Sequence, residues 1–385
     1  MRLTELHADG FRNLRDLRLA PHPRLTIFVG DNGQGKTNLL EAIHLVSALR
    51  PLRAVEKANE LVGFDRERGL VRGRFDLDGP LDVEVVVEPR GRRATVGGKA
   101  VRDVASLASR LGVVSFVPED STIIRGSPGD RRRGLDRFAY GLLPGFAQAA
   151  RRFEEALEQR NRLLKEPVVD EDAVNAFTPP FVEAAVELTR LRVEATRRWA
   201  PVFSAEARAI GDEGLEASLA YRSGIIGDDD DDDDDAAPGD GGDDGGLRLE
   251  PAALRGRLEE RLARGRAIER RKRSTLCGPQ HDDLRITKGD RPARFLASQG
   301  EARALVLALK LAAVRVQAEG RGAPPLLLLD DVAGELDRHR AGRLLMAIDE
   351  TGAQCFVTTT STSTLPPLGD AAVHVVEGGR LRGAG

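Results

Sequence analysis

The run Gly30-Asp31-Asn32-Gly33-Gln34-Gly35-Lys36-Thr37 constrains this chain more than any other feature. It matches G-x-x-x-x-G-K-[ST], in which glycines let backbone N–H groups turn inward and cradle phosphate oxygens at a helix N-terminus. Such a loop requires a buried strand before it and a helix after it. Arg24 to Gly30 reads RLTIFVG, a short apolar strand, and a helix from about Lys36 carries Leu39, Leu40, Ile43 and Leu45. In that setting Lys36 reaches the β and γ phosphates of ATP and Thr37 offers its hydroxyl to Mg2+. An ordinary glycine turn is the plain alternative, and the agreement of motif with setting disfavours it.

A phosphate loop that hydrolyses its nucleotide also needs an acid at the end of a neighbouring buried strand. Leu326-Leu-Leu-Leu-Asp330-Asp331 fits, with Asp330 on the metal side and Asp331 placed to orient or deprotonate water. A helix cap after a core strand is the bland alternative. The rival Val85-Val-Val-Glu88 runs into Pro89 and an Arg-rich turn, and reads as a hairpin end. A third element, Ser298-Gln299-Gly300-Glu301, heads a long apolar helix over Ala302 to Val316 and offers a second phosphate-binding helix end. Alone it is a common cap; its place one helix length before Asp330 gives it weight.

Around these motifs, residues 70 to 117 read mainly as strands, and a mixed sheet is expected to continue past the first helix. From Phe146 to about Ile210 the pattern turns helical, with breaks expected at Pro167 and Pro179-Pro180. Leu254 to Lys272 is a helix rich in arginine, and strands resume from Leu276. The expected fold class is therefore α/β, a phosphate-loop ATPase head with mixed sheets and an inserted helical arm. The head takes residues 1–135 and 275–385, and the arm 136–274. A chain of 385 residues is long enough for about two such domains.

The net charge of −3 hides an asymmetry, because 11 Asp fall between Asp228 and Asp244, eight of them consecutive. Such a run repels itself and cannot build a core, so a solvated, disordered loop is expected at about 227–246. Elsewhere 58 cations face 50 anions, a moderately basic body that can meet a polyanion. The start mixes charged and apolar residues, and no apolar run approaches the ~18 residues that cross a bilayer. Cys277 and Cys355 form no CxxC or Cys/His cluster. A soluble cytoplasmic protein without a membrane partner is expected.

A phosphate loop continuing as Lys-Thr-Asn, an S-Q-G-E helix, a four-Leu strand ending in two acids and a following Glu335-Leu336-Asp337 together resemble the ABC-type ATPase heads of the SMC-like group. Within that group the chain resembles the RecF family. Phe11-Arg12-Asn13-Leu14, Phe116-Val-Pro-Glu119-Asp120, Gly126-Ser-Pro128 with Arg131-Arg132-Arg133, Gln159-Arg-Asn161 and Gly278-Pro279 with Asp282-Asp283-Leu284 carry that resemblance. It implies that Ser298 to Glu301 of one subunit close over ATP held by another, with Glu335 to Asp337 as the D-loop. It further implies a weak DNA-dependent ATPase that clamps single- and double-stranded DNA as an ATP-dependent homodimer, working with RecR and RecO to help RecA load. Two places depart from the family pattern. Gly-Pro-His-Arg-Asp-Asp reads here Gly278-Pro279-Gln280-His281-Asp282-Asp283, and Thr358-Thr359-Thr360 stands where many ABC ATPases keep a His.

Arg131 to Arg133 and the helix ending in Arg270-Arg271-Lys272 supply cations for sequence-independent phosphate contact, while aromatics, at 4%, give little for base stacking. Solvated helix faces are the plain reading of the same clusters. Two other functions share the ATP-site parts: the nucleotide-binding subunit of a transporter, and an SMC-like ATPase with a long coiled coil. The separation of about 290 residues between Lys36 and Asp330 speaks against the first, and the expected proline breaks against the second. The acidic run is either an inert spacer or a competitor with DNA for the basic helix after it. Deleting residues 228–246 raises DNA affinity at low salt if it competes; unchanged affinity in a low-salt titration leaves only the spacer.

Overall fold

The computed structural model describes residues 1–53, 55–101, 110–211, 215–226, 250–331, 338–362 and 369–382. The acidic run and Glu335, Leu336 and Asp337 lie outside the described residues. The chain divides into two compact units, the first formed by Met1–Asp120, Ala209–Asp212 and Arg303–Gly385, the second by Ser121–Arg208 and Glu213–Ala302.

In the first unit, strands β1 (Arg2–Asp9), β2 (Leu17–Leu19), β4 (Gly69–Asp76), β5 (Pro80–Glu88), β6 (Gly91–Val96) and β7 (Lys99–Ala100) form an antiparallel sheet in the order β2-β1-β4-β5-β6-β7. A second sheet takes β3 (Leu25–Val29), β8 (Val113–Phe116), β12 (Leu326–Leu329), β13 (Cys355–Thr359), β14 (Ala372–Glu377) and β15 (Arg380–Arg382), in the order β15-β14-β3-β13-β12-β8. All its neighbours run parallel except the β14–β15 hairpin. The mixed sheets expected of the head are these two, one antiparallel and one mainly parallel. β4 alternates buried with mostly exposed residues and β5 buried with half-buried ones, as a sheet with one wetter face requires, whereas β12 and β13 are buried on both faces.

Helix α1 (Lys36–Ala48) packs on β4 and β5 on one side and on β8 and β13 on the other. Leu39, Leu40, Ala42, Ile43, Leu45 and Val46 are accordingly all fully buried. Helix α7 (Arg338–Thr351) also belongs to this unit.

The second unit holds helices α2 (Pro128–Leu142), α3 (Phe146–Lys165), α4 (Glu171–Ile210, whose last residues enter the first unit) and α5 (Pro251–Lys272), and an antiparallel sheet of β9 (Ala217–Arg222), β10 (Asp283–Lys288) and β11 (Arg291–Pro292) in the order β11-β10-β9. Helix α6 (Gln299–Arg321) starts here and continues into the first unit. The units part at 120 and 302, not at the 135 and 275 drawn from sequence. Among the contacts that join α2 to β10, the Arg131 guanidinium donates twice to Asp283, at 2.7 Å each.

The expected break at Pro179-Pro180 does not occur. α4 runs 40 residues through both and through Pro201. Phe181, Val182, Ala185 and Leu188 on this stretch are at most 1% exposed, and their burial outweighs the hydrogen bonds that the prolines remove. Pro167 does fall between helices α3 and α4.

Arg160 of α3 meets Glu269 of α5 with both side chains 1% exposed, donating to both carboxylate oxygens at 3.1 and 2.6 Å and to Thr275 Oγ1 at 2.6 Å. Glu269→Ala strands a buried guanidinium and is expected to destabilise the second unit by about 3–5 kcal/mol, read by urea denaturation.

Candidate nucleotide-binding site

β3 lies between β13 and β14, in register Phe28↔Thr358 and Val29↔Thr359, so its carboxyl end opens at the edge where parallel sheets hold ligands. The chain leaves it as the loop Gly30–Gly35 and enters α1 at Lys36. Gly35 caps the helix at φ 107° with no side-chain cap, leaving the first-turn N–H groups to face the loop. Lys36 is 7% exposed and its Nζ donates to Gly30 O at 2.5 Å and Asp31 O at 2.9 Å. The ammonium therefore lies across the loop, held by carbonyls that an anion can replace. Gln34 is tied by its O to Gly379 N at 2.9 Å and by its Oε1 to Gly378 N at 2.8 Å.

β12 brings the acids to the same edge. Leu326 to Leu329 are at most 2% exposed, and Asp330 N extends the ladder to Phe116 O at 3.0 Å. Asp330 Oδ1 accepts from Thr37 Oγ1 at 3.0 Å and from Thr358 Oγ1 at 2.7 Å. The loop and the acid, 293 positions apart, are thus in direct contact. A hydroxyl and a carboxylate meeting at one point are hard oxygen donors that suit Mg2+, which characteristically takes few protein ligands and completes its shell with phosphate and water. Among the described residues no cluster of three or more His, Cys, Asp or Glu offers a rival metal site.

Asp331 sits at φ 52°, a left-handed conformation uncommon for a residue with a side chain. Its N–H donates to Thr358 Oγ1 at 2.8 Å, and its buried Oδ1 has no hydrogen-bond partner among the described residues. Burial pushes its carboxyl above the usual range; Lys36 pulls it back and Asp330 adds to the rise. A carboxylate with an unused buried oxygen and a raised affinity for protons is suited to accept one from water.

Thr358 organises both acids, donating to one and accepting from the other, a role sequence reasoning missed because it asked only whether a His stood there. Asn13 was also missed: its Oδ1 accepts from Asn38 Nδ2 at 2.9 Å, beside the loop. The available signal was its place in the Phe11–Leu14 stretch. Glu88 is indeed a hairpin end, paired across from Gly91 in the other sheet.

Ser298 to Glu301 belong to the second unit and form a capping box at the head of α6. Ser298 N donates to Glu301 Oε2 at 2.9 Å, and Glu301 N to Ser298 Oγ at 3.2 Å. Lys288, 2.7 Å from Glu301, holds that carboxyl below its usual range, helped by Ser298. Ser298 and Gln299 are exposed and Gly300 half-buried, so the helix end faces outward.

The cations separate on burial. Arg131 is 5% exposed and locked on Asp283, which removes it from the DNA-contact candidates: its charge is already neutralised in the interior. Arg132 is half-buried and donates to Asp282 O at 2.6 Å. Arg133 is exposed and bonded to Asp130. Arg270 is exposed and pairs with Glu171 at 2.9 Å, while Arg271 and Lys272 are exposed at the last turn of α5.

The raised carboxyl of Asp331 makes a stability prediction. Its proton affinity is higher folded than unfolded, so ionising it at neutral pH weakens the fold; below the unfolded value both states are protonated and nothing is lost. Asp331→Asn should raise the melting temperature at neutral pH, with the gain vanishing once the pH falls below the ordinary range of an unfolded Asp.

The family described as RecF/RecN/SMC N terminal domain matches residues 2–378. The DNA replication and repair protein RecF of Symbiobacterium thermophilum is 38% identical over 95% of this chain and 93% of its own length. That of Anaeromyxobacter sp. strain K is 40% identical over 98% of each. Solved structures of a recombination mediator protein RecF of the RecFOR pathway, with ATPrS and with ATP, align at TM-scores of 0.84 and 0.83. Both are 27% identical, covering 99% and 100% of this chain and 97% of theirs. The Smc head domain of Pyrococcus furiosus, 16% identical over 99% of this chain and 95% of its own, shares the fold at a TM-score of 0.53. With the phosphate loop, its paired acids and the two-sheet ATPase head in place, the chain belongs to the RecF family of DNA replication and repair proteins.

Proposed function

We propose that this chain is an ATP-gated DNA clamp of recombinational repair, working as a homodimer in which each phosphate loop is closed by Ser298 to Glu301 of the other copy. The observation that carries it is the hydrogen-bonded set Thr37–Asp330–Thr358, with Asp331 beside it and a buried oxygen unused.

The loop N–H groups and Lys36 bind the phosphates, Lys36 exchanging the Gly30 and Asp31 carbonyls for phosphate oxygen. Thr37 and, through water, Asp330 would hold Mg2+, which when bound neutralises charge on the phosphates. Asp331 takes the proton as water oxygen bonds to the γ phosphorus and the bond to the β-side oxygen breaks, releasing ADP and phosphate. The exposed α6 end, with Ser298 and Gln299 at the surface, would receive that γ-phosphate from a second copy. Loss of the bridging phosphate then opens the clamp, which makes hydrolysis a slow switch.

Arg133, Arg271 and Lys272 are exposed and suit backbone contact with single- or double-stranded DNA of any sequence. Cooperation with RecO and RecR in loading RecA, and a cytoplasmic setting, follow from the family reading. Among the described residues no helix is long and apolar enough to cross a membrane.

The test is light scattering with ATP and DNA for wild type, Lys36→Arg and Ser298→Arg. Wild type dimerises with ATP. Lys36→Arg loses dimerisation and hydrolysis. Ser298→Arg still binds one ATP per chain but stays monomeric and hydrolyses about a hundredfold more slowly. Normal dimerisation by Ser298→Arg rejects closure in trans.

A further inference from the structure

Two segments outside the nucleotide-binding motifs grip the phosphate loop. On one flank is the turn Phe11–Leu14, closed by Leu14 N donating to Phe11 O at 2.9 Å. It presents Asn13, whose Oδ1 accepts from Asn38 in the first turn of α1. The same amide lies against Gly35: a Cβ there would sit 2.7 Å from Asn13 Oδ1 and 2.9 Å from Nδ2. On the other flank the turn between β14 and β15 holds Gln34 through both Gly378 N and Gly379 N.

The two flanks also touch each other. A Cβ on Gly379 would lie 2.0 Å from Asn13 O, and Arg15 N donates to Gly379 O at 3.3 Å. With φ at 76°, Gly379 is restricted to glycine by conformation as well as by space. Turn, Asn13 and loop are therefore packed in series, and none can shift without the next.

We infer that Asn13 and the diglycine turn Gly378-Gly379 form a clamp that pre-sets the phosphate loop and couples the β14–β15 hairpin to nucleotide occupancy. The inference rests on the ATP reading above. A phosphate cradle works only if several N–H groups converge on one anion, and a loop with left-handed glycines loses much entropy in reaching that shape. Asn13 and Gly379 reduce that cost by holding the shape beforehand; they are positioning residues. Coupling is reciprocal, so an anion that needs the ordered loop also steadies the turn behind it.

The experiment uses the full chain with Mg2+ and a fluorescent ATP analogue. Wild type binds, and Lys36→Ala supplies the loss-of-binding reference. Asn13→Ala is expected to raise Kd about five- to tenfold, with the nucleotide-free melting temperature lowered by no more than a few degrees. Asn13→Ala and Asn38→Ala combined should cost less than the sum of the two, because they remove one shared hydrogen bond. In wild type, amide hydrogen exchange at Gly378 and Gly379 slows with ATP, and in Lys36→Ala it does not. Wild type failing to bind the analogue overturns the ATP reading and the clamp with it. Wild type binding while exchange at Gly378-Gly379 ignores ATP, or Asn13→Ala binding as tightly as wild type, overturns the clamp alone.

Discussion

Everything in the first unit depends on one helix being buried on every side. α1 is wedged between two sheets, so its polar residues as well as its apolar ones must be satisfied internally. Glu41 is fully buried and accepts from Arg12 Nε at 2.9 Å and Nη2 at 3.2 Å. Ser47 Oγ donates to Ile43 O, and His44 Nδ1 lies 3.0 Å from Arg50 O. These fixed pairings leave the helix little freedom to rotate, and its first turn inherits that rigidity. Arg12 has a second effect: by anchoring the N-terminal turn on α1, it sets Asn13, the next residue, against the phosphate loop.

What was legible in the sequence, and what was not, follows the range of the interactions. Gly30 to Thr37 and the Asp330-Asp331 strand end are local patterns whose chemistry is written in consecutive residues, and the structure brings Thr37 and Asp330 within 3.0 Å. Thr358 is invisible at that level, because its role exists only once β13 lies beside β12. The same holds for Gly378 and Gly379, more than 340 positions from the Gln34 that they hold. Pro179 and Pro180 misled because a local rule about helix interiors was outweighed by burial. Arg131 misled because a run of three arginines reads as surface charge until Asp283 arrives from 152 positions away.

The departure at Gln280-His281 becomes intelligible in the same terms. The adjoining acids do the structural work: Asp283 binds Arg131, while Asp282, fully buried, accepts from Arg192 Nη1 at 2.7 Å, Gly224 N at 2.8 Å and the Tyr221 hydroxyl. Gln280 closes its own turn through Nε2 to Thr275 O and Cys277 O, and His281 is exposed. The altered pair therefore leaves the hub of the second unit intact.

The position of β3 within its sheet has a consequence for how the protein is made. On a ribosome the strand that feeds the phosphate loop emerges early, yet both its neighbours, β13 and β14, are encoded about 330 residues later. At roughly 5–20 residues per second, Leu25 to Val29 wait about 15–70 s with both edges unpaired. The antiparallel sheet suffers no such delay, since the partners of β1 are all made by residue 76. A nascent chain would thus carry a finished platform and an open apolar strand for most of its synthesis, and nucleotide could be captured only near the end.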